Sequence, residues 1–233
     1  SDPNAKPWTD EEKRLWAQKR ALAATEQERK YDEAAAKALV VLKSAKPDHH
    51  TYLEIKGFPD EKGLVLEDRL LIPMRNVVTN RLQGYQSIRW DAPVRKYEKK
   101  MMPGMRAKHA VFWMGPRDAD EVWFVEGYAT ALSVRAALQA CGVPAAVVVT
   151  FSAMNLVTVA EQVKGRRFVF ADNDESQTGE KAAVQTGLPY TMADEKGWDA
   201  NDLHFEKGLF AVSQKVMECR AISLACTMED IGL

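Results

Sequence analysis

Cysteine is scarce in this chain, and long apolar runs are absent. Three cysteines occur among 233 residues, and they form neither the CxxC spacing of a zinc ribbon nor an even set for a disulfide framework. The longest uninterrupted apolar stretch lies near residues 145–149, far short of the roughly 20 residues that span a bilayer. The sequence opens on no export signal. We therefore expect a soluble, cytoplasmic protein without a disulfide scaffold.

Charge is nearly balanced overall, with 32 Lys or Arg against 33 Asp or Glu, but it is unevenly distributed. Residues 69–108 carry ten basic and two acidic residues, a net charge of +8. Residues 170–206 carry nine acids and two lysines, a net charge of −7. Blocks of opposite charge favour a protein that holds a polyanion against metal-binding carboxylates. The alternative interpretation is two solvated faces of opposite sign.

The first half of the chain divides into a long helix and a region of short strands. Thr9 and Glu12 have the spacing of a capping box, and a helical pattern then continues to about Ala45, before Pro47. We therefore assign residues 1–47 to an N-terminal helical arm. Short apolar runs then alternate with turn signals, which predicts a small basic mixed α/β subdomain over residues 48–115.

The second half alternates apolar strands with helices. Strands are expected at residues 122–126, 145–151, 167–171 and 190–192, and helices at residues 130–140, 154–163 and 179–186. This alternation predicts α/β structure over residues 116–206, a Rossmann-like parallel sheet with helices on both faces. A C-terminal helical segment is expected over residues 207–233. Ligands of such sheets bind outside the carboxyl ends of the strands.

Acidic residues occupy those strand ends. Glu126 ends one predicted strand, Asp172 and Asp174 follow another, and Asp199 and Asp202 lie in a third acidic segment that we interpret as a loop. Mg²⁺ is commonly held by a few carboxylates together with water and substrate phosphates, so all five acids are candidate metal ligands. Glu126 is alternatively a proton shuttle. For any one of these acids taken alone, the competing interpretation is a helix cap or turn residue.

The order and spacing of these motifs resemble the Toprim domain, which bacterial-type primases share with topoisomerases and some nucleases. The resemblance depends on Glu126-Gly127 after one strand, Asp172-Asn173-Asp174 after another, and Asp199-Ala200-Asn201-Asp202 near the end. The preceding segments are similar to the basic subdomain of the primase polymerase core, in its plasmid and phage versions: residues 50–58, 68–75, 82–88 and 99–104. The resemblance covers residues 48–206 and implies a Toprim-type fold.

The same resemblance implies a function. The chain is expected to be a metal-dependent DNA primase core that makes short RNA primers on single-stranded DNA from ribonucleoside triphosphates. Glu126, Asp172 and Asp174 would be catalytic, with Mg²⁺ or Mn²⁺ as the cofactor. Nucleotide and nucleic-acid binding is expected of five basic residues: Arg69, Arg75, Arg89, Lys99 and Lys100. A replicative helicase or another replication protein is an expected partner.

The sequence also departs from the primase pattern. Many primases carry an acid four residues after the glutamate, where this chain has Thr130, and Gly179 stands five positions after Asp174 in a stretched D-x-D-x-x-G motif. A Toprim nuclease and a non-catalytic nucleic-acid-binding module therefore remain as alternatives. Three aromatic residues lie among the basic residues and are expected either to stack on bases or to pack within the sheet: Tyr85, Trp90 and Tyr97.

Overall fold

The structure, a computed structural model, describes the backbone of residues 8–231 and the side chains of residues 8–223. Helix α1 (Asp10–Ser44) begins at the expected capping box, in which Glu12 N donates to Thr9 Oγ1 at 3.2 Å and Thr9 N donates to the Glu12 carboxylate at 2.7 Å. Its first half is exposed, whereas Ala34 and Ala38 are buried. No helix in the described part of the chain has the length and apolarity needed to cross a membrane.

An antiparallel sheet follows the long helix. Its elements are β1 (Lys46–Asp48), α2 (Thr51–Ile55), β2 (Gly63–Leu66), β3 (Arg69–Asn76), β4 (Leu82–Asp91) and β5 (Lys96–Met101). Each strand pairs antiparallel with the next one along the chain. The C-terminal half of α1 packs against β4. Many of the basic residues in the block 69–108 therefore project from this sheet.

The remaining residues form alternating strands and helices. They are β6 (Ala110–Met114), β7 (Glu121–Val125), α3 (Tyr128–Ala140), β8 (Ala146–Val149), α4 (Ala153–Ala160), β9 (Arg166–Ala171), α5 (Thr178–Thr186), β10 (Tyr190–Met192), α6 (Ala200–Lys207) and α7 (Leu209–Ile231). The order β8-β7-β9-β10 is parallel throughout. Strands β7 and β8 are wholly buried apolar runs apart from Glu121, as is typical of a parallel sheet covered on both faces.

Strand β6 joins the two halves into one sheet. It pairs antiparallel with β3 on one side and antiparallel with β8 on the other. The expected α/β class is therefore confirmed, but the sheet is mixed rather than wholly parallel. The expectation that the sheet carries helices on both faces is also confirmed, because alternate residues of β7 pack in opposite directions. Trp123 and Val125 pack with α3, α6 and α7, whereas Val122 and Phe124 pack with α4 and α5.

The winding of the parallel strands reverses between β7 and β9. The chain leaves β7 through α3 to reach β8 on one side, and returns through α4 on the opposite face to reach β9 on the other side. Such a reversal opens a crevice outside the carboxyl ends of the two central strands, which is where ligands of open α/β sheets bind. We call this place the switch-point crevice.

Candidate active site

Two of the five candidate acids lie at the switch-point crevice. Glu126 directly follows β7, and Asp172 directly follows β9. The two strands are parallel neighbours, with Phe124 opposite Val169. Because the carboxyl ends of parallel neighbours meet at the same edge of a sheet, the fold brings together two acids that are 46 positions apart in the sequence.

Glu126 is half-buried and is fixed by the start of α4. The amide of Ala153, the first residue of α4, donates a hydrogen bond to the Glu126 carboxylate. The Phe151 amide donates to the Glu126 carbonyl oxygen at 3.0 Å. Burial, followed by the charge of Asp174, raises the pKa of Glu126, whereas the Ala153 amide and Lys99 act in the opposite direction. A carboxylate with a raised pKa in a crevice is suited to proton transfer.

Asp172 carries a negative charge that its surroundings do not compensate. Burial, followed by the charges of Asp199 and Glu126, raises the pKa of Asp172 to about 7, and Lys99 acts in the opposite direction. Within the described residues, Asp172 Oδ1 is buried and has no hydrogen-bond partner. A buried carboxylate oxygen without a partner destabilises the ionised form. The site therefore lacks a positive charge at this atom.

Asp174 lies in the opposite kind of environment. Its carboxylate accepts hydrogen bonds from Ser176 Oγ at 2.6 Å, Thr178 N at 3.1 Å and Gly179 N at 3.2 Å. These donors, led by the Ser176 hydroxyl, lower the pKa of Asp174. Two carboxyl groups two positions apart are thus shifted in opposite directions, an arrangement that separates a permanently ionised group from one that titrates near neutrality.

Gly179 accounts for the stretched spacing after Asp174. A Cβ atom at position 179 would lie 2.4 Å from the Asp172 carbonyl oxygen, closer than any side chain can approach. Glycine therefore lets the first turn of α5 lie directly against the backbone of Asp172. With the five-residue spacing, Gly179 contacts both acids. Its amide donates to the Asp174 carboxylate, and its Cα lies against the Asp172 backbone.

The expected acidic loop around Asp199 is in fact the start of α6, so that interpretation was wrong. Asp199 is the N-cap and accepts from Asn201 N at 2.6 Å and Asp202 N at 2.9 Å. The Asp202 carboxylate accepts in return from Asp199 N at 3.1 Å. This is a capping box, and it engages both acids in holding the helix.

Thr130 lies fully buried on α3. Its hydroxyl donates to the second carboxylate oxygen of Asp199 at 3.0 Å. Asp199 therefore remains beside the crevice, where its charge contributes to the raised pKa of Asp172.

The five candidate ligands do not form a closed metal cage. Among residues 8–223, no three His, Cys, Asp or Glu side chains lie close enough to ligate one ion as they stand. Mg²⁺ is often bound through one or two carboxylates, with water and substrate phosphates completing the shell. The unpartnered Oδ1 of Asp172, surrounded by like charges, fits that mode of binding.

Lys99 links the basic sheet to these acids. It lies opposite Ile88 in the β4–β5 pair, so it projects from the face of the sheet that carries the buried Ile88 side chain. Its Nζ atom lies 5.7 Å from the centre of the Tyr52 ring. Its charge lowers the pKa of both Glu126 and Asp172. Lys99 is therefore placed to neutralise negative charge at the switch-point crevice.

The other expected basic ligands are placed differently. Lys100 lies opposite Ser87, on the face that Lys99 does not share, and pairs with Glu98 at 2.6 Å. Arg89, opposite Arg69, also lies on that second face, and Arg69 pairs with Glu67 at 3.2 Å. Arg75 follows a bulge in β3 and donates to the Asn80 carbonyl at 3.1 Å. The structure thus places Lys99 on one face of the sheet and Arg69, Arg89 and Lys100 on the other.

Two aromatic residues of the basic sheet, Tyr97 and Trp90, differ in their exposure. Tyr97 packs against Tyr52 and Trp90, with ring centroids 5.1 and 5.2 Å apart. Trp90 itself is exposed. Tyr97 therefore serves packing, and Trp90 keeps a free surface.

Comparison with models of known protein families and with curated proteins found no match to this chain.

Sequence reasoning missed two contributors to the site. Tyr52 is buried against Lys99, and its hydroxyl has no hydrogen-bond partner within the described residues. The start of α4 supplies the Ala153 amide to Glu126. Ser152 gave a usable signal for the latter, because a serine directly after an apolar strand marks a helix N-cap at a strand end.

We expect replacement of Asp172 by Asn to stabilise the metal-free protein near pH ~8. The folded-state pKa of about 7 lies above the ordinary value of 3.8, so between these values the unfolded chain releases a proton that the folded protein retains, and stability falls as pH rises. The neutral amide avoids that loss. Urea unfolding with a chelator present should show a gain of at least ~1 kcal/mol near pH 8, which disappears near pH 4.

Asp174→Asn is the matched control for this experiment. Hydrogen bonds to the ionised form lower the pKa of Asp174, so its replacement should give no gain in stability near pH ~8. If Asp172→Asn were less stable than the parent at both pH values, our assignment of an uncompensated charge to Asp172 would be wrong.

Proposed function

We propose that this protein is the catalytic core of a metal-dependent DNA primase, which makes short RNA primers on single-stranded DNA. The observation that carries the proposal is the position of Lys99, a cation of the antiparallel basic sheet that acts electrostatically on Glu126 and Asp172 at the switch-point crevice. Transfer of a nucleotide requires cations around the triphosphate and carboxylates around the metal at one place. The resemblance of the acids to the Toprim domain supports the same function.

In the proposed reaction, the 3′-hydroxyl oxygen of the growing primer bonds to the α-phosphorus, and the bond from that phosphorus to the pyrophosphate oxygen breaks. Glu126 accepts the hydroxyl proton, for which its raised pKa suits it. Lys99 faces the negative charge of the triphosphate. Asp172 and Asp174 would hold Mg²⁺ or Mn²⁺, which neutralises charge on the phosphoryl oxygens when bound. Ribonucleoside triphosphates and single-stranded DNA are the partners that follow, with a replicative helicase as a protein partner.

One observation favours a second candidate, a non-catalytic nucleic-acid-binding module. Thr130 stands in place of an acid and is bonded to Asp199, so the crevice holds one carboxylate fewer than many primases. A site with fewer carboxylates binds metal ions more weakly. This candidate would retain binding of single strands and lack turnover.

The first test combines the parent protein with ribonucleotides, Mg²⁺ and labelled single-stranded DNA. We expect primer synthesis, and we expect Glu126→Gln to reduce its rate by at least ~10²-fold, the scale of an acid–base group. Glutamine keeps the size of the side chain and its ability to accept the Ala153 hydrogen bond. Thermal melting and strand binding should therefore stay near the parental values.

The outcomes of this test separate the candidates. Cleavage of the DNA without extension would identify a nuclease, and binding without either reaction would identify the non-catalytic module. A Glu126→Gln variant that makes primers at the parental rate would exclude Glu126 from the chemistry.

Lys99 and Lys100 provide a matched pair for a second prediction. Both are exposed lysines of β5, and either change to Ala removes one positive charge, but only Lys99 faces the acids. We expect Lys99→Ala to lower kcat/KM for the ribonucleotide by about tenfold or more, as for loss of a charge-assisted contact. Lys100→Ala should remain within about twofold of the parent in steady-state kinetics at fixed salt, as expected of an exposed ion pair. Equal losses in the two variants would mean that the lysines contribute only general positive charge.

A further inference from the structure

We propose that a cleft beside Glu126 binds a nucleobase of the single-stranded DNA. The cleft has a volume of about 350 Å³ and lies between the first two turns of α4 and the residues that run from the end of β5 toward β6. Met154 and Thr158 line one side, and Met101 and Lys108 line the other. The choice of ligand rests on the proposed function, whereas the cleft itself is a feature of the fold.

The cleft is joined to Glu126 by backbone hydrogen bonds. Thr150, which lines the cleft, donates its amide to the Val125 carbonyl at 2.9 Å, and the next amide, of Phe151, donates to the Glu126 carbonyl at 3.0 Å. Ala153 then donates to the Glu126 carboxylate. A nucleotide whose base occupied the cleft would therefore have its sugar and phosphate close to the acids of the switch-point crevice.

A buried asparagine holds the two walls together. Asn155 Oδ1 accepts from His109 N at 2.8 Å, and its Nδ2 donates to the carbonyls of Ala110 at 2.9 Å and Thr150 at 2.8 Å. Asn155 is only 9% exposed. These bonds connect α4 to the start of β6 and to the residue that follows β8. The cleft is therefore formed before any ligand binds, as most small-molecule sites are.

Backbone strain is present on both sides of the cleft. Phe151 has φ +64° and His109 has φ +61°, values in the left-handed region that bulky residues rarely adopt. Both strained amides are hydrogen-bonded, Phe151 to Glu126 and His109 to Asn155. Residues that surrounding hydrogen bonds hold in such rare backbone conformations cluster at binding and catalytic sites.

The chemistry of the walls indicates a base attached to a phosphate. Met154 is 82% exposed on the first turn of α4, and methionine offers a polarisable surface that adapts to flat ligands. Among the described residues that line the cleft, none is acidic and Lys108 is cationic, so an anionic backbone is favoured at its edge.

The hydroxyl groups of the cleft leave little capacity for reading the base. Thr150 Oγ1 donates to the Val125 carbonyl at 3.1 Å, and Thr158 Oγ1 donates to the Asn155 carbonyl at 3.1 Å. Of the three hydroxyl groups among the described lining residues, only Ser152, which accepts from Asn155 N at 3.2 Å, therefore keeps a hydrogen to donate. We therefore expect contact with the faces of the base and tolerance of all four bases, as in other single-strand-binding proteins that stack bases without reading their edges.

A strand with one missing base tests the proposal. The affinities of the parent protein and of Met154→Ala are measured for a short oligothymidylate and for the same strand with an abasic site at each position in turn. At one position we expect the missing base to weaken binding to the parent by about fivefold, which is the lower end of the range for stacking of a base on an aromatic side chain and is applied here to methionine. Met154→Ala should bind the intact strand more weakly than the parent does. Removal of the base at that position should then reduce the affinity of this variant little further.

Val184→Ala is the matched control, because Val184 is an exposed apolar residue of α5 that does not line the cleft. It should show the full parental loss at the abasic position. If Met154→Ala shows that loss as well, or binds the intact strand as tightly as the parent, the base does not occupy the cleft. Failure of the parent to bind the strand would overturn the proposal too.

This test is independent of turnover. If Met154 and one base are coupled in a protein that makes no primers, base binding in the cleft is supported and the primase function is contradicted. If the protein makes primers without that coupling, the primase function is supported and base binding in the cleft is contradicted.

Discussion

The uncompensated negative charge of Asp172 is the constraint on which the candidate site depends. The fold buries this carboxylate at the end of a central strand, close enough to Glu126 and Asp199 for their charges to disfavour its ionisation. Gly179 then brings α5 against its backbone, so the chain around Asp172 has little room to move away. Lys99 is the protein cation that already lowers its pKa, and in the proposed function a bound metal ion would supply further positive charge.

The mixed sheet is what brings Lys99 to the acids. Strand β6 pairs with β3 of the antiparallel half and with β8 of the parallel half, so the two halves are parts of one hydrogen-bonded structure. Within the antiparallel half, the alternation of side chains along β5 then selects which basic residues face the crevice. One basic surface and one acidic crevice are thereby held in a fixed relation, which a reaction between a polyanion and a metal-bound nucleotide requires.

The sequence predicted the parts of this structure that depend on local pattern. The α/β alternation and the positions of Glu126 and Asp172 after buried strands follow from apolar runs and turn residues. The helix α6 that begins after Asp199 was not predicted, although a cap was one interpretation of its acids, because the same side chains are suited to binding a metal and to capping a helix. Adjacent residues of a strand point to opposite faces, but which of Lys99 and Lys100 faces the acids was not predictable, because it depends on how the basic sheet packs against the rest of the fold.

The most direct test of the central claim is the affinity of Mn²⁺ for the parent, Asp172→Asn and Glu175→Gln proteins, measured by titration calorimetry. Glu175 is an exposed acid in the same loop, so the two variants lose the same charge at different places. Our account predicts that the parent and Glu175→Gln bind Mn²⁺ alike. Asp172→Asn should bind at least ~10-fold more weakly, a minimum set by the losses seen when only an outer partner of a metal ligand is removed. Equal affinities for the parent and Asp172→Asn would contradict the account.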